Sequence, residues 1–214
     1  MELFRPYAEA GRKIVCFSIS AGMSTSGNVM RLAAEELGAS DRIKVIDSAN
    51  LSTGIGLLVV EAAIMAKNNR TASQIVSEIE KLKPNVRASF VVDTLTYLYR
   101  GGRCNAVAAM AGGVLKLHPR IVVEDGAMNA SKKYRGKIAS VVMNYVKDME
   151  KDLKKARPER VFITHSGCEQ ETVEKVRAYL KELDIFDEIL ETRAGGVVSS
   201  HCGPGTLGVL YIAK

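Results

Sequence analysis

The sequence predicts an α/β protein of two domains, a parallel α/β half spanning residues 1–86 and a mixed-sheet α/β half spanning 87–214. Three observations carry this. Short apolar runs alternate with helix-length amphipathic stretches before Pro84, which requires crossover connections and a parallel sheet. After Pro84 an Asp125-Gly126 pair between two short runs marks a hairpin, so antiparallel pairing enters. At 214 residues with 47% hydrophobic content, the chain can bury a substantial core.

Lys13-Ile14-Val15-Cys16-Phe17-Ser18-Ile19 is the first strand, and it breaks at Ala21-Gly22. Val29, Met30, Leu32, Ala33 and Leu37 then recur at helical spacing until Gly38. Ile43 to Asp47 repeats the strand signal, Gly56 to Asn68 is a strongly apolar helix, and Thr71 caps a helix running to about Lys83. Ala88 to Asp93 reads as a strand, Leu95 to Leu98 as a helical turn, and Asn105 to Leu117 as an Ala/Gly-rich helix. The hairpin pairs Arg120–Val123 with Ala127–Ala130. A long amphipathic helix is expected over about Arg135 to Ala156, then a strand from Arg160, a helix over Glu169 to Leu183, a strand near Glu188 to Glu191, and a final strand after His201.

Composition excludes several classes. No run of about 18 uncharged apolar residues appears and the start is not a secretory leader, so a cytoplasmic protein is expected. Cys16, Cys104, Cys168 and Cys202 are widely spaced without metal-ligand pattern, and read as reduced packing residues; no metal or cofactor is expected. The net charge of +6 comes with no nucleic-acid-binding motif. The stretch from Lys151 to Arg160 is interleaved with acids, as on a solvated helix face, and Lys132, Lys133 and Arg135 could instead dock an acidic protein. No nucleic-acid partner is expected; transient contact with a membrane surface remains open.

Candidate chemistry sits in two loops. Ser24, Thr25 and Ser26 fall between a strand end and a helix start, where free N–H groups and the helix dipole favour an anion. The alternative is that one of them is only an N-cap. His201-Cys202-Gly203-Pro204-Gly205-Thr206 places an imidazole in a glycine-rich turn that a ligand can approach closely, with Gly203, Gly205 and Thr206 as secondary candidates. The alternative for His201 is a core histidine. Arg103, after Gly101-Gly102, suits a carboxylate or phosphate, or forms an ion pair with Asp93 or Glu124. His165 ends a strand and reads as structural or rim-lining; His118 reads as loop. A serine hydrolase with Ser24 as nucleophile and His201 as base is the rival reading, although Ser26 replaces the second glycine of the G-x-S-x-G elbow. Neither a phosphate-loop lysine motif nor G-x-G-x-x-G is present.

Four separated motifs resemble the DegV family across essentially the whole chain: Ser18 to Ser24, Asp47-Ser48 with Gly54-Ile55-Gly56, Asp93 to Arg103, and His201 to Thr206. The resemblance implies a three-layer α/β/α domain followed by a two-layer α/β domain. It implies a fatty-acid carrier rather than an enzyme, with Ser24 and His201 on the carboxylate at the domain junction and Arg103 associated with phosphoryl transfer. The partner it implies is an ATP-binding fatty acid kinase subunit that converts the carboxylate to an acyl phosphate. The acyl tunnel would be lined by the helices at 57–66 and 105–115. The family's usual Ser-Gly-Thr is Ser24-Thr25-Ser26 here. Family members also begin with a further strand-helix segment that carries another carboxylate contact; the chain starts after it, so weaker binding is expected, with restoration of the segment tightening it.

Overall fold

Two short apolar runs, β1 (Ile14–Ser18) and β2 (Ile43–Asp47), pair in parallel from Ile14↔Ile43 to Ser18↔Asp47. The computed structural model describes residues 1–103 and 117–214. The expected helix at 105–115 and Cys104 lie outside the described residues. Two units divide the chain, Met1–Pro84 and Asn85–Lys214.

In the first unit, α1 (Arg5–Glu9) and α2 (Ser26–Glu36) lie on one face of the β1–β2 pair. Because strand side chains alternate, Ile14, Cys16, Ile43 and Val45 face this way and pack with Ala8, Ala34, Leu37 and Ala39. The helices α3 (Thr53–Lys67) and α4 (Ala72–Leu82) pack on each other and on the strands, burying Leu57, Leu58, Ile75 and Ile79. This makes three layers, α/β/α. Helix α3 starts at Thr53, three residues before the expected Gly56, because Gly54 packs inside its first turn against Asn50; a Cβ there would lie 2.0 Å from Asn50 Oδ1. Thr71 forms a full capping box with Gln74.

The second unit holds β3 (Val86–Val91), α5 (Thr96–Gly101), β4 (Leu117–Glu124), β5 (Ala127–Arg135), α6 (Ile138–Asp148) and α7 (Glu150–Leu153). Then follow β6 (Ala156–Ser166), α8 (Gln170–Glu182), β7 (Glu188–Arg193), α9 (Gly196–Cys202) and β8 (Thr206–Ala213). Its sheet runs β5-β4-β3-β8-β6-β7, antiparallel throughout except for the parallel β6–β7 pair. Helices α6 and α8 cover one face, where Val141, Tyr145, Val146, Val173, Val176 and Leu180 join Val91, Val161, Ile163, Leu207 and Val209. The opposite face is also apolar: Ala88, Phe90, Ile121, Val123, Phe162 and Leu210 alternate with the first set and are buried.

Further elements differ from the sequence expectation. The helix expected over 135–156 is instead the end of β5, then α6 and α7, with β6 beginning at Ala156. Strand β5 extends to Arg135 because its partner Leu117, expected to close a helix, opens β4. Gly136, at φ +121°, then breaks the strand. Strand β6 begins before Pro158, and the proline's missing N–H falls in the irregular register between Ala156 and Val161. His201, expected in a turn, closes the short helix α9. The hairpin turn has Asp125 and Gly126 at φ 50° and 74°, the two positive values a type I′ turn needs.

Candidate functional site

The carboxyl ends of β1 and β2 in the first unit lead into two loops laced together by hydrogen bonds. Ser20 N–H donates to Asn50 O (2.9 Å) and Ser48 N–H to Ser18 O (3.1 Å). The Asp47 carboxylate accepts from Ala49 N (2.9 Å) and Ala21 N (3.2 Å). Asn50, buried, accepts at Oδ1 from Leu51 N. Crevices at the carboxyl ends of parallel strands are the usual ligand position in open α/β sheets.

Ser24, Thr25 and Ser26 stand at this end, at the entry to α2. Ser24 Oγ accepts from Ser26 N–H (3.2 Å) and shares a hydrogen bond with Ser26 Oγ (2.7 Å). Thr25 occupies the N-cap position but makes no side-chain cap bond. The turn is therefore held by Ser24, one residue earlier than a standard cap. Ser24 and Ser26 are half-buried and Thr25 is exposed. Gly27 allows the helix to start this close to β1, since a Cβ there would meet Ser18 Oγ at 2.7 Å. Ser24 is not among the positive-φ residues, so it lacks the backbone strain of a nucleophile elbow, and the hydrolase reading gains no support.

In the second unit, His201 at the end of α9 packs against α5. Gly101 makes this possible: a Cβ on it would lie 2.1 Å from His201 Nδ1. Gly203, at φ +80°, sits on the Tyr97 ring, where a Cβ would fall 2.3 Å from Cδ2. The His201 imidazole is half-exposed, and among the described residues no hydrogen-bond partner reaches it. Gly205, at φ +76°, donates its N–H to Ser166 O (2.8 Å), and buried Thr206 donates its hydroxyl to Cys202 O (2.9 Å). Arg103 is exposed, and its Nη1 donates to Gly101 O (2.8 Å), next to the His201 contact.

Two histidines are buried in the sheet. His165 is buried within β6 and its Nδ1 accepts from Cys168 N, so it is not an open rim group. His118, expected in a loop, is buried in β4; Nε2 faces Gly136 O (3.0 Å) and Nδ1 faces Val92 O (3.3 Å), with Asp93 Oδ1 at 3.5 Å. It ties the end of β3 to the start of α6. Among the described residues Cys16, Cys168 and Cys202 are in no disulfide, and burial, with the charge of Glu169, pushes the Cys168 thiol up to about 11. Lys132 pairs with Asp148, Lys154 with Glu150 and Arg157 with Glu159, while Lys133 and Arg135 are exposed on the edge strand β5.

Sequence reasoning missed Gly101 and Tyr97 as partners of the His201 segment, and Asp47 and Asn50 as the struts of the first loop. The available signal was their presence inside the motifs at 47–56 and 93–103. Among the described residues, no group of three or more His, Cys, Asp or Glu could hold a metal ion. Nor is any described helix long and apolar enough to cross a membrane.

Comparison with known proteins identifies the fold and the family. The profile described as "Uncharacterised protein, DegV family" matches residues 1–214. A DegV domain-containing protein of Clostridium perfringens is 32% identical over 216 residues, covering 99% of this chain and 74% of its own length. A structure of a fatty-acid-binding DegV family protein from Thermus thermophilus superposes with TM-score 0.88 at 26% identity, over 100% of this chain and 75% of that one. DegV of Bacillus subtilis, a fatty acid binding protein, superposes with TM-score 0.79 at 28% identity, over 100% of this chain and 76% of that one. The chain belongs to the DegV family.

Proposed function

We propose that this chain is a non-catalytic carrier that binds a long-chain fatty acid and presents the carboxylate to a separate ATP-dependent kinase for acyl phosphate formation. The observation that carries the reading is the likeness, over the whole chain, to the fatty-acid-binding protein of Thermus thermophilus. In this reading Ser24, with Thr25 and Ser26 in the same loop, and His201 are the carboxylate partners. Arg103 and the exposed Lys133 and Arg135 meet the kinase or its phosphates. A buried carboxylate is costly unless hydrogen-bonded. The half-buried hydroxyls of Ser24 and Ser26 and the half-exposed His201 imidazole are groups that can supply such bonds.

The acyl chain needs an apolar wall with no polar backbone exposed to it. The second unit offers one in the sheet face of Ala88, Phe90, Ile121, Val123, Phe162 and Leu210, whose backbone groups are spent in the ladders. The apolar helix α3 offers another within the first unit. Native mass spectrometry of the purified protein, followed by organic extraction, tests the reading directly: a stoichiometric fatty acid is expected. In titrations with a fluorescent long-chain fatty acid, Ser24→Ala and His201→Ala are each expected to lose about 1–3 kcal/mol of binding. Unaltered affinity in both variants, or a protein that takes up no fatty acid, would overturn it.

A further inference from the structure

We propose that the segment His165–Cys168 at the end of β6, its His165 ring oriented by Glu191 and bonded to Cys168 N, clamps both ends of helix α9 and so fixes the His201 imidazole. The inference rests on the fatty-acid reading only for what His201 binds; the clamp itself is a property of this chain.

Around the side chain, the donors and acceptors leave one consistent arrangement. Cys168 N–H donates to Nδ1 (3.3 Å), so Nδ1 is the acceptor and Nε2 carries the proton. Nε2 donates to Glu191 Oε1 (3.3 Å), and the other Glu191 oxygen takes Arg177 Nη2 (2.6 Å). Arg177 in turn donates from Nη1 to Ile189 O (2.9 Å), which anchors the chain on β7. With its side chain fully buried, His165 cannot reach a ligand itself and acts through its neighbours.

Two arms lead from His165 to α9. At the entry, His165 O accepts from Ala194 N (2.9 Å), and Ala194 O accepts from Ser199 Oγ (3.1 Å) within the helix. At the exit, the Cys168 thiol donates to Thr206 O (3.3 Å), Ser166 O accepts from Gly205 N (2.8 Å), and Thr206 Oγ1 donates to Cys202 O (2.9 Å). The raised thiol pKa keeps the proton on Cys168 Sγ at neutral pH, so the donor is always present. A clamp is needed here because α9 is only seven residues long and is followed by Gly203 and Gly205, both at positive φ. A helix this short has little intrinsic stability, so its orientation is set by what holds its ends.

The chain has three histidines, which makes imidazole NMR of the ligand-free protein a direct readout. Cys168→Ala removes the thiol's bond to Thr206 O from the exit arm with little volume change, and Cys168→Ser keeps a donor. The His201 signal, assigned from its loss in His201→Ala, is expected to shift in Cys168→Ala and to return toward the wild-type position in Cys168→Ser. Affinity for a fluorescent long-chain fatty acid is expected to fall about three- to tenfold in Cys168→Ala, and the same substitution in a His201→Ala background is expected to cost nothing further. A merely structural role predicts equal losses in both backgrounds, with thermal unfolding as the only shared change. An unmoved His201 signal, or additive losses, would overturn the proposal. Should the wild-type protein take up no fatty acid, the carrier reading fails while the NMR arm still decides the clamp.

Discussion

Gly101 shows how a single missing Cβ shapes the candidate site. Its Cα lies against His201 Nδ1, and a methyl group would enter the imidazole itself at 2.1 Å. Helix α5 cannot shift away cheaply, because Gly203 is seated on the Tyr97 ring from the same helix. The imidazole must therefore rotate. Gly101→Ala is expected to weaken fatty-acid binding to the level of His201→Ala, about 1–3 kcal/mol. The substitution also raises helix propensity, so the global unfolding midpoint should hold or rise while affinity falls. Titration and urea unfolding of the same variant check both halves; a parallel fall in stability would mean that α5 has unfolded rather than displaced His201.

Between elements, the fully buried Tyr145 is the clearest joint. It reaches from α6 to the seam between β3 and β8, where Ser89 and Val209 are register partners. Its hydroxyl donates to Ser89 O (2.8 Å), accepts from Val209 N (3.0 Å) and contacts Ser89 Oγ (3.0 Å), so one helix residue binds two strands. Tyr145→Phe leaves Val209 N–H and Ser89 without that partner and should cost about 1–3 kcal/mol in urea unfolding. No change would mean that the strands close the gap themselves. Such a joint is invisible in sequence, where Tyr145 is one apolar position on a helix. What was legible there is local: Thr71 and Gln74 spell a capping box within four residues, and Asp125-Gly126 selects its turn by φ alone. The end of β5 is not legible because Lys132, Lys133 and Arg135 carry no strand signal, and pairing with Leu117–Pro119 is what makes Lys133–Arg135 a strand. Helix α9 was missed for the same reason. Gly195, Gly196, two valines and two serines are poor helix formers, and packing against α5 decides the outcome. Ser24, Arg103 and His201 stand out in the sequence as polar side chains beside glycines, whereas the glycine and carbonyl contacts around them in the fold do not.

The chain carries thirty basic side chains against twenty-four acidic ones, and several of the acids lie beside a base. Glu171 lies beside Lys175, Glu150 beside Lys154, Glu159 beside Arg157 and Glu191 beside Arg177, and each carboxyl is held below its ordinary value of 4.5. For Glu191 the largest cause is the hydrogen bond from Arg177; burial opposes it and His165 adds to it. A carboxyl whose pKa is lower in the folded than in the unfolded chain binds fewer protons when folded. Its stabilisation is then fully present above the ordinary value and is lost as pH falls through the folded value. Acid also removes negative charge from a chain that is already +6, so self-repulsion grows in the same range. Unfolding free energy is expected to be level above about pH 5 and to decline below it. Arg177→Leu separates the pair from the background. At pH 7 the variant should be less stable than the wild type, and the gap should narrow toward pH 3 as Glu191 is protonated in both proteins. Glu174, 3.9 Å from the same guanidinium, titrates in this range too and adds to the narrowing, and the remainder reflects the Arg177 bond to Ile189 O, which does not titrate. A gap that stays constant between pH 7 and pH 3 in urea titrations would show that the Arg177–Glu191 pair adds no net stability, leaving the guanidinium's backbone bond and packing as its whole contribution.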